Sequence, residues 1–358
     1  MEMFTDKVAG QDERYIQIRP SLINFYRDLP VYIIHPQKGG LVRFLARKEQ
    51  YAKKAISFLT QRGINVYVRL SDHKGRNSLL EEKLAEYLDG PIDAEQAVFI
   101  KELTFQLVNE FFVGRAAPDG GHYIDAKSLK KIAKIAEYYV GLLDLENATE
   151  ALEMIHNVIR KDLTTYSHSV NTMILILRYL DQERRKYRDK ICFPSELLAN
   201  KYEMEQKQRE QDRKWALGAI LHDIGKVGIP DELLKAARKL TDKEYEVMKM
   251  HVEFGWEMIR AVSSNYSRND IIKGAILHHH ERLDGNGYPR KLTEFSLAGQ
   301  LIGLLDCYEA LTTDKRPYRS AATPSEALEI LTQDVKAGKF DAILLKKLAE
   351  LVANDRIA

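Results

Sequence analysis

An apolar helical stretch, Trp215 to Leu221, runs directly into His222-Asp223. Burying a carboxylate is costly unless its charge is paired or bound to a metal. Any fold this chain adopts must therefore supply such a partner at that point. The same demand recurs further along. A helix opens at the capping-box pattern Thr241-Asp-Lys-Glu244 and is expected to run over 242–262, with Met248, Val252 and Gly255 on its apolar face. His251 lies beside that face. His279 and His280 end the apolar run Ile271 to Leu277, and Asp306 closes Leu301-Ile-Gly-Leu-Leu. Seven of the ten histidines lie after residue 150. Taken singly, each has an ordinary reading: a His-Asp helix cap at 222–223, a satisfied core histidine at 251, an exposed helix end at His278. Taken together, a shared cluster of cations satisfies them all. Mixed imidazole and carboxylate donors suit Fe, Mn, Zn or Ni better than Ca or Mg.

The 358 residues suggest about two domains. In the first third, Val31 to His35 and Leu41 to Ala46 read as a hairpin around a Pro-Gly turn. A helix is expected over Lys48 to Arg62 with Gly63 as its C-cap, and Ile64 to Leu70 alternates like a half-buried strand. The order is β-β-α-β. Leu79 to Leu88, Ala94 to Phe112, Lys127 to Leu143 and Thr149 to Arg160 have helical spacing. The expected division is a small α+β regulatory or interaction domain over 1–90, a helical linker over 91–150 that could also form a homodimer, and an all-helical domain over 151–358. Further helices are expected near 163–181, 212–224, 268–281, 296–312, 325–337 and 342–354, so the fold class is mainly α. The charged stretch 181–214 reads as a solvated helix or loop.

Composition excludes several partners. A net charge of +2 gives no field that would attract a nucleic acid polymer or a membrane. No apolar stretch reaches the roughly 18 residues of a spanning helix. Two cysteines, Cys192 and Cys307, make no disulfide framework. With no signal peptide at Met1 to Gly10, the expectation is a cytoplasmic protein.

Longer motifs narrow the reading. Leu221-His-Asp-Ile-Gly-Lys226, Met248-Lys-Met-His251 and Asp306-Cys-Tyr-Glu-Ala-Leu-Thr-Thr are followed by Arg316-Pro-Tyr-Arg319. His279-His-Glu-Arg-Leu-Asp-Gly-Asn-Gly-Tyr-Pro289 matches HHExxDGxGYP at every fixed position. Over roughly residues 150–350 the chain resembles the HD-GYP family of metal-dependent phosphohydrolases.

The resemblance implies an HD-type helical domain and a phosphodiesterase that hydrolyses cyclic di-GMP to pGpG or GMP through a metal-bridged hydroxide. It places metal ligands at His168, His222, Asp223, His251, His279, His280 and Asp306, with Asp223 the bridge. His168 sits in Thr164-Thr-Tyr-Ser-His168, where periodicity alone would not select it. Lys226 would lie near the substrate phosphate, making Asp223 and Lys226 the catalytic pair. Arg316 and Arg319 would hold substrate phosphates through their planar forks. Asp284, Gly285, Gly287, Tyr288 and Pro289 would form the GYP loop, a contact for diguanylate cyclases carrying GGDEF domains. Two departures stand out. Thr164 occupies a position where some members carry a metal-binding Glu, so the site is predicted to hold two Fe or Mn ions, with a third in doubt. Glu309 stands where an Asp is common. The alternatives are a non-catalytic cyclic di-GMP sensor and an HD hydrolase of another cyclic dinucleotide.

Overall fold

A computed structural model of the protein describes residues 4–8, 11–26, 28–34, 40–44, 54, 57–59, 61–62, 64–112, 115–116, 122–145, 147–159, 165–188, 198–234, 236, 238–313 and 321–354. The chain divides into two compact units, Met1–Val113 and Gly114–Ala358. The division falls inside the stretch 91–150 read from the sequence as a linker.

The first unit holds a five-stranded antiparallel sheet in the order β1-β2-β5-β3-β4. The strands are β1 (Phe4–Val8), β2 (Gln11–Ile18), β3 (Val31–Ile34), β4 (Leu41–Phe44) and β5 (Val66–Arg69). β1 and β2 precede the expected β-β-α-β order and extend it. Of the helix expected over Lys48 to Arg62, Lys54, Ser57, Phe58, Leu59 and Gln61 are described as helix and Arg62 as a turn; the other residues, with Gly63, lie outside the described residues. Helix α1 (Leu70–Leu88) follows β5 directly, well before the expected start at Leu79. It packs on β2, β5 and α2 (Ala94–Phe112), burying Leu80 and Leu84 with Ile100 and Leu103.

Among its described residues, the second unit is helical apart from turns and the two-residue strands β6 (Arg115–Ala116) and β7 (His122–Tyr123). Its helices are α3 (Ala126–Gly141), α4 (Ala148–Ile159), α5 (Thr165–Arg188) and α6 (Leu198–Leu221). There follow α7 (Asp242–Lys249), α8 (His251–Val262), α9 (Asp270–His278), α10 (Leu297–Thr312), α11 (Pro324–Lys336) and α12 (Ala342–Ala353). Helix α5 is the centre. Residues Val170 to Tyr179 are buried on every side, against α4, α6, α10 and α12. A helix segment buried around its whole circumference belongs in a core.

Helix α6 changes character along its length. Its exposed first part carries ion pairs such as Arg209–Asp144 and Arg213–Glu137. Its last turns, Ala216 to Leu221, are buried against α5 and α9. The expected helix over 212–224 is thus the end of a longer one that stops at Leu221. The single helix expected over 242–262 is broken at Met250, where a tightened turn carries Met250 N–H to the Val247 carbonyl at 3.1 Å. The capping box that opens α7 is formed, with the Thr241 side chain accepting from Glu244 N–H and the Glu244 side chain from Thr241 N–H.

Candidate metal centre

The ends of α5, α6, α8 and α9 meet the middle of α10 at one place. Helix α6 delivers His222 and Asp223 on the turn that follows Leu221. A short 3-10 turn, Ile224–Gly228, then packs against the start of α8. This approach requires Gly225: a Cβ there would stand 1.8 Å from the His251 carbonyl oxygen. The side chain of Asp223 makes no capping bond to the turn it begins. Capping therefore does not explain the His-Asp pair.

The ligand atoms of two groups lie within 4.8 Å of one another in each: Asp223, His251, His279 and His280 in one, His168, His222 and Asp306 in the other. Asp223 faces both. Its Oδ1 is 3.4 Å from His251 Nε2 and 3.9 Å from His279 Nε2. Its Oδ2 is 3.5 Å from His222 Nε2 and 3.7 Å from His168 Nε2. Asp306 Oδ1 lies 2.8 Å from His168 Nε2 and 3.9 Å from His222 Nε2.

The outer nitrogens of three rings fix the inner ones. His222 Nδ1 meets the Ala219 carbonyl at 2.7 Å, His251 Nδ1 the Met248 carbonyl at 2.7 Å, and His279 Nδ1 the Ala275 carbonyl at 2.7 Å. A carbonyl can only accept, so each Nδ1 carries the proton and donates it. Each Nε2 then keeps a lone pair directed at the carboxylates. The break at Met250 gives the Met248 carbonyl its imidazole partner. Among the described residues, the buried His222 Nε2 and Asp223 Oδ1 have no hydrogen-bond partner. Buried polar atoms left without partners are costly, and a cation in each of the two groups would satisfy one of them. The donor set and its orphaned atoms fit divalent transition metals.

The electrostatics agree. Burial alone would push the Asp223 carboxyl up, but Lys226, His222, His251 and His168 hold it well below the usual carboxylate range. Asp306 behaves alike, with His168 as the main opposing group. Burial pushes His222 and His251 down, and drives His279 and His280 well down, so all four favour the neutral ring a metal requires. His168 differs. Burial would lower it, yet Glu309 and Asp306 raise it to about 10.

Lys226 pairs directly with Asp223 Oδ2. Glu309, noted in the sequence only as a departure, is buried and accepts from His168 Nδ1, from Asn171 Nδ2 at 2.8 Å and from Thr313 Oγ1 at 2.8 Å. No local pattern points to that role. His278 faces away from the cluster and meets Ser296 Oγ at 3.1 Å; it is half-buried rather than exposed. Arg316, Arg319, Thr164 and Cys192 lie outside the described residues.

The loop after α9 is held from inside. The buried Glu281 carboxylate accepts the backbone N–H of Arg290 at 2.7 Å and of Leu292 at 2.8 Å. Gly287 runs against the chain of Glu281 and Arg282; a Cβ there would fall 2.4 Å from Arg282 N. Asp284 accepts from Asn286 N–H at 3.0 Å, Gly285 has φ of +74°, and the Tyr288–Pro289 bond is cis. Tyr288 stacks on the His280 ring with centroids 4.5 Å apart.

Residues 171–344 match the family model described as HD domain. A cyclic di-GMP phosphodiesterase of Pseudomonas aeruginosa is 34% identical over 145 residues, covering 39% of this chain and 33% of that protein. A 3'3'-cGAMP-specific phosphodiesterase of Vibrio cholerae is 31% identical over 140 residues, covering 37% of this chain and 30% of that one. The chain spans between 24% and 50% of the length of such curated relatives. Among solved structures, an HDG"Y"P protein from Bdellovibrio bacteriovorus aligns over 95% of this chain and 100% of its own, with a TM-score of 0.64 and 17% identity. That last likeness is one of fold. No helix among the described residues is long and apolar enough to cross a membrane.

Proposed function

We propose that this protein, whose residues 171–344 match the family model described as HD domain, is a metal-dependent phosphodiesterase of the HD-GYP type that hydrolyses cyclic di-GMP to pGpG or GMP. The observation that carries the reading is Asp223, whose two oxygens face two separate groups of ligand atoms. His168, His222 and Asp306 would hold one ion, His251, His279 and His280 the other, and Asp223 would serve both. Two divalent cations, when bound, lower the pKa of water toward neutrality and offset charge on a phosphoryl group. Fe and Mn are the ions we propose, and the two groups support two of them rather than three.

The chain's own residues do the rest. Lys226, which pairs with Asp223, would donate to a phosphoryl oxygen where negative charge develops. Glu309 holds the His168 ring in place. Arg316 and Arg319 would hold substrate phosphates. The loop from Asp284 to Pro289 would form the GYP surface for a GGDEF-domain partner. We assign the small N-terminal domain (1–90) a regulatory role and the 91–150 helices a linking and dimerising one, in a cytoplasmic protein.

Turnover is the test. Protein loaded anaerobically with Fe or Mn is expected to convert cyclic di-GMP to pGpG or GMP, and the double variant His222→Ala, Asp223→Ala to lose all conversion. No turnover with any divalent metal rejects the reading. A second reading, hydrolysis of 3'3'-cGAMP, is favoured by the likeness to the Vibrio cholerae enzyme. Running both nucleotides side by side decides between them by kcat/KM.

A further inference from the structure

Beyond the metal cage lies a surface that the chemistry above does not use. Helix α7 places Tyr245 and Lys249 one turn apart on one face. Lys249 Nζ sits 4.9 Å from the centre of the Tyr245 ring and 5.6 Å from that of Tyr288. The two tyrosine rings meet edge to face with centroids 6.3 Å apart. Tyr288 in turn stacks on His280 at 4.5 Å, with planes 24° apart. The rings His280, Tyr288 and Tyr245 thus form a continuous aromatic wall that begins at the cage and ends in solvent, where Tyr245 is 46% exposed. One ammonium group bridges its outer half. Lys249 also meets Glu246 at 2.6 Å and keeps a quarter of its side chain in solvent.

We propose that Tyr245 and Lys249 form a nucleobase subsite selective for guanine. The inference rests on the cyclic-dinucleotide hydrolase reading. A diester held at the cage must set its attached base down nearby, and the wall starts one ring spacing away. An exposed tyrosine offers a face on which any base can stack. The ammonium adds selectivity, because guanine presents two acceptors, N7 and O6, on one edge, whereas adenine presents N7 beside an amino donor. Tyr288, closed on one face by His280, supports the wall, while Tyr245 remains open to the base. The helix break at Met250 ties the two sites together: Lys249 closes α7, one turn after Tyr245, and His251 opens α8.

Steady-state kinetics on the metal-loaded protein tests this. Tyr245→Ala should raise KM for cyclic di-GMP about tenfold, as loss of one stacked base would, with kcat changed less than threefold. Tyr245→Phe, which keeps the ring, should restore the wild-type KM. Lys249→Met should lower the preference for cyclic di-GMP over cyclic di-AMP about fivefold or more. Metal content in all three variants should match wild type. The ratio of kcat/KM for cyclic di-GMP to that for methyl 4-nitrophenyl phosphate, a diester without a nucleobase, should fall in Tyr245→Ala. Equal losses on both diesters, or no loss on either, would overturn the subsite while leaving the hydrolase reading intact. Wild-type protein that neither binds nor cleaves any cyclic dinucleotide would reject the hydrolase reading, and the subsite with it.

Discussion

His168 Nδ1 donates to the Glu309 carboxylate across 141 residues of chain. The other Glu309 oxygen is held by Asn171 and Thr313, so the acid is fixed before it fixes the ring. A carboxylate behind a ligating imidazole sets its orientation and raises its basicity. Glu309→Ala is therefore expected to weaken metal binding at the His168, His222 and Asp306 group roughly 10- to 100-fold. It should also cost about 1–3 kcal/mol of stability, because buried donors lose their acceptor. Glu309→Gln, which keeps the shape, separates charge from geometry. Metal titration and chemical unfolding measure the two effects, and unchanged affinity in Glu309→Ala would contradict the role.

Acidity and alkalinity should destabilise the metal-free protein from opposite sides. Burial lowers His222, His251, His279 and His280 from the ordinary value of 6.5. Below that value the unfolded chain takes up protons that the folded one refuses, so stability falls as pH drops. His168 is raised to about 10 by Glu309 and Asp306 against the opposing effect of burial. Its contribution is complete below 6.5 and is lost as pH rises through about 10. Each group changes stability by at most ~1.4 kcal/mol per pH unit. Chelated protein should accordingly show its highest unfolding midpoint near neutrality, and His168→Gln should flatten the alkaline limb alone. A midpoint that climbs steadily to pH 10 would contradict this assignment.

Two glycines make a matched pair. Gly225 lets the turn after Asp223 reach the backbone of His251. Gly225→Ala has no room for its methyl group and should destabilise the second unit by about 3 kcal/mol, toward the upper end for overpacking. Metal affinity should fall with it. Gly75 lies inside α1, and a methyl group added there would meet nothing within 4 Å. Gly75→Ala should stabilise by roughly 0.5–1 kcal/mol, because alanine is the better helix former. Thermal unfolding of both variants checks the contrast.

What can be read in advance follows from how far each signal travels along the chain. Helices α9 to α12 declare themselves because their buried residues recur at helical spacing within a dozen positions. The cage is readable in part for the same reason: His222, His251, His279 and Asp306 each interrupt or flank an apolar run. His168 does not, and only the family motif selects it. Glu309 shows nothing of its task in the sequence, since its partner is fixed by tertiary packing between α5 and α10. The break at Met250 involves neither glycine nor proline and follows from the Gly225 turn and the His251 ring bond. β1 and β2 escape the pattern because the first half of β2, Gln11 to Arg14, is wholly polar. Among its described side chains, Tyr15, Ile16 and Ile18 are buried.

Asp223 and Asp306 should fail differently when neutralised. Asp306 faces His168 and His222, whereas Asp223 faces those two and also His251 and His279. An amide oxygen is a weaker donor to a cation than a carboxylate, and the charge that holds the imidazoles near it is lost as well. Asp306→Asn is expected to lower metal content toward one ion per chain, and Asp223→Asn to lower it toward none. Both should lose about a thousandfold or more in kcat, since two cations share the work of activating water and offsetting charge. Elemental analysis of anaerobically purified protein reads the stoichiometry directly. If Asp223→Asn retained two ions, the single carboxylate would not be what joins the two groups, and the shared-ligand reading would fail on that measurement alone.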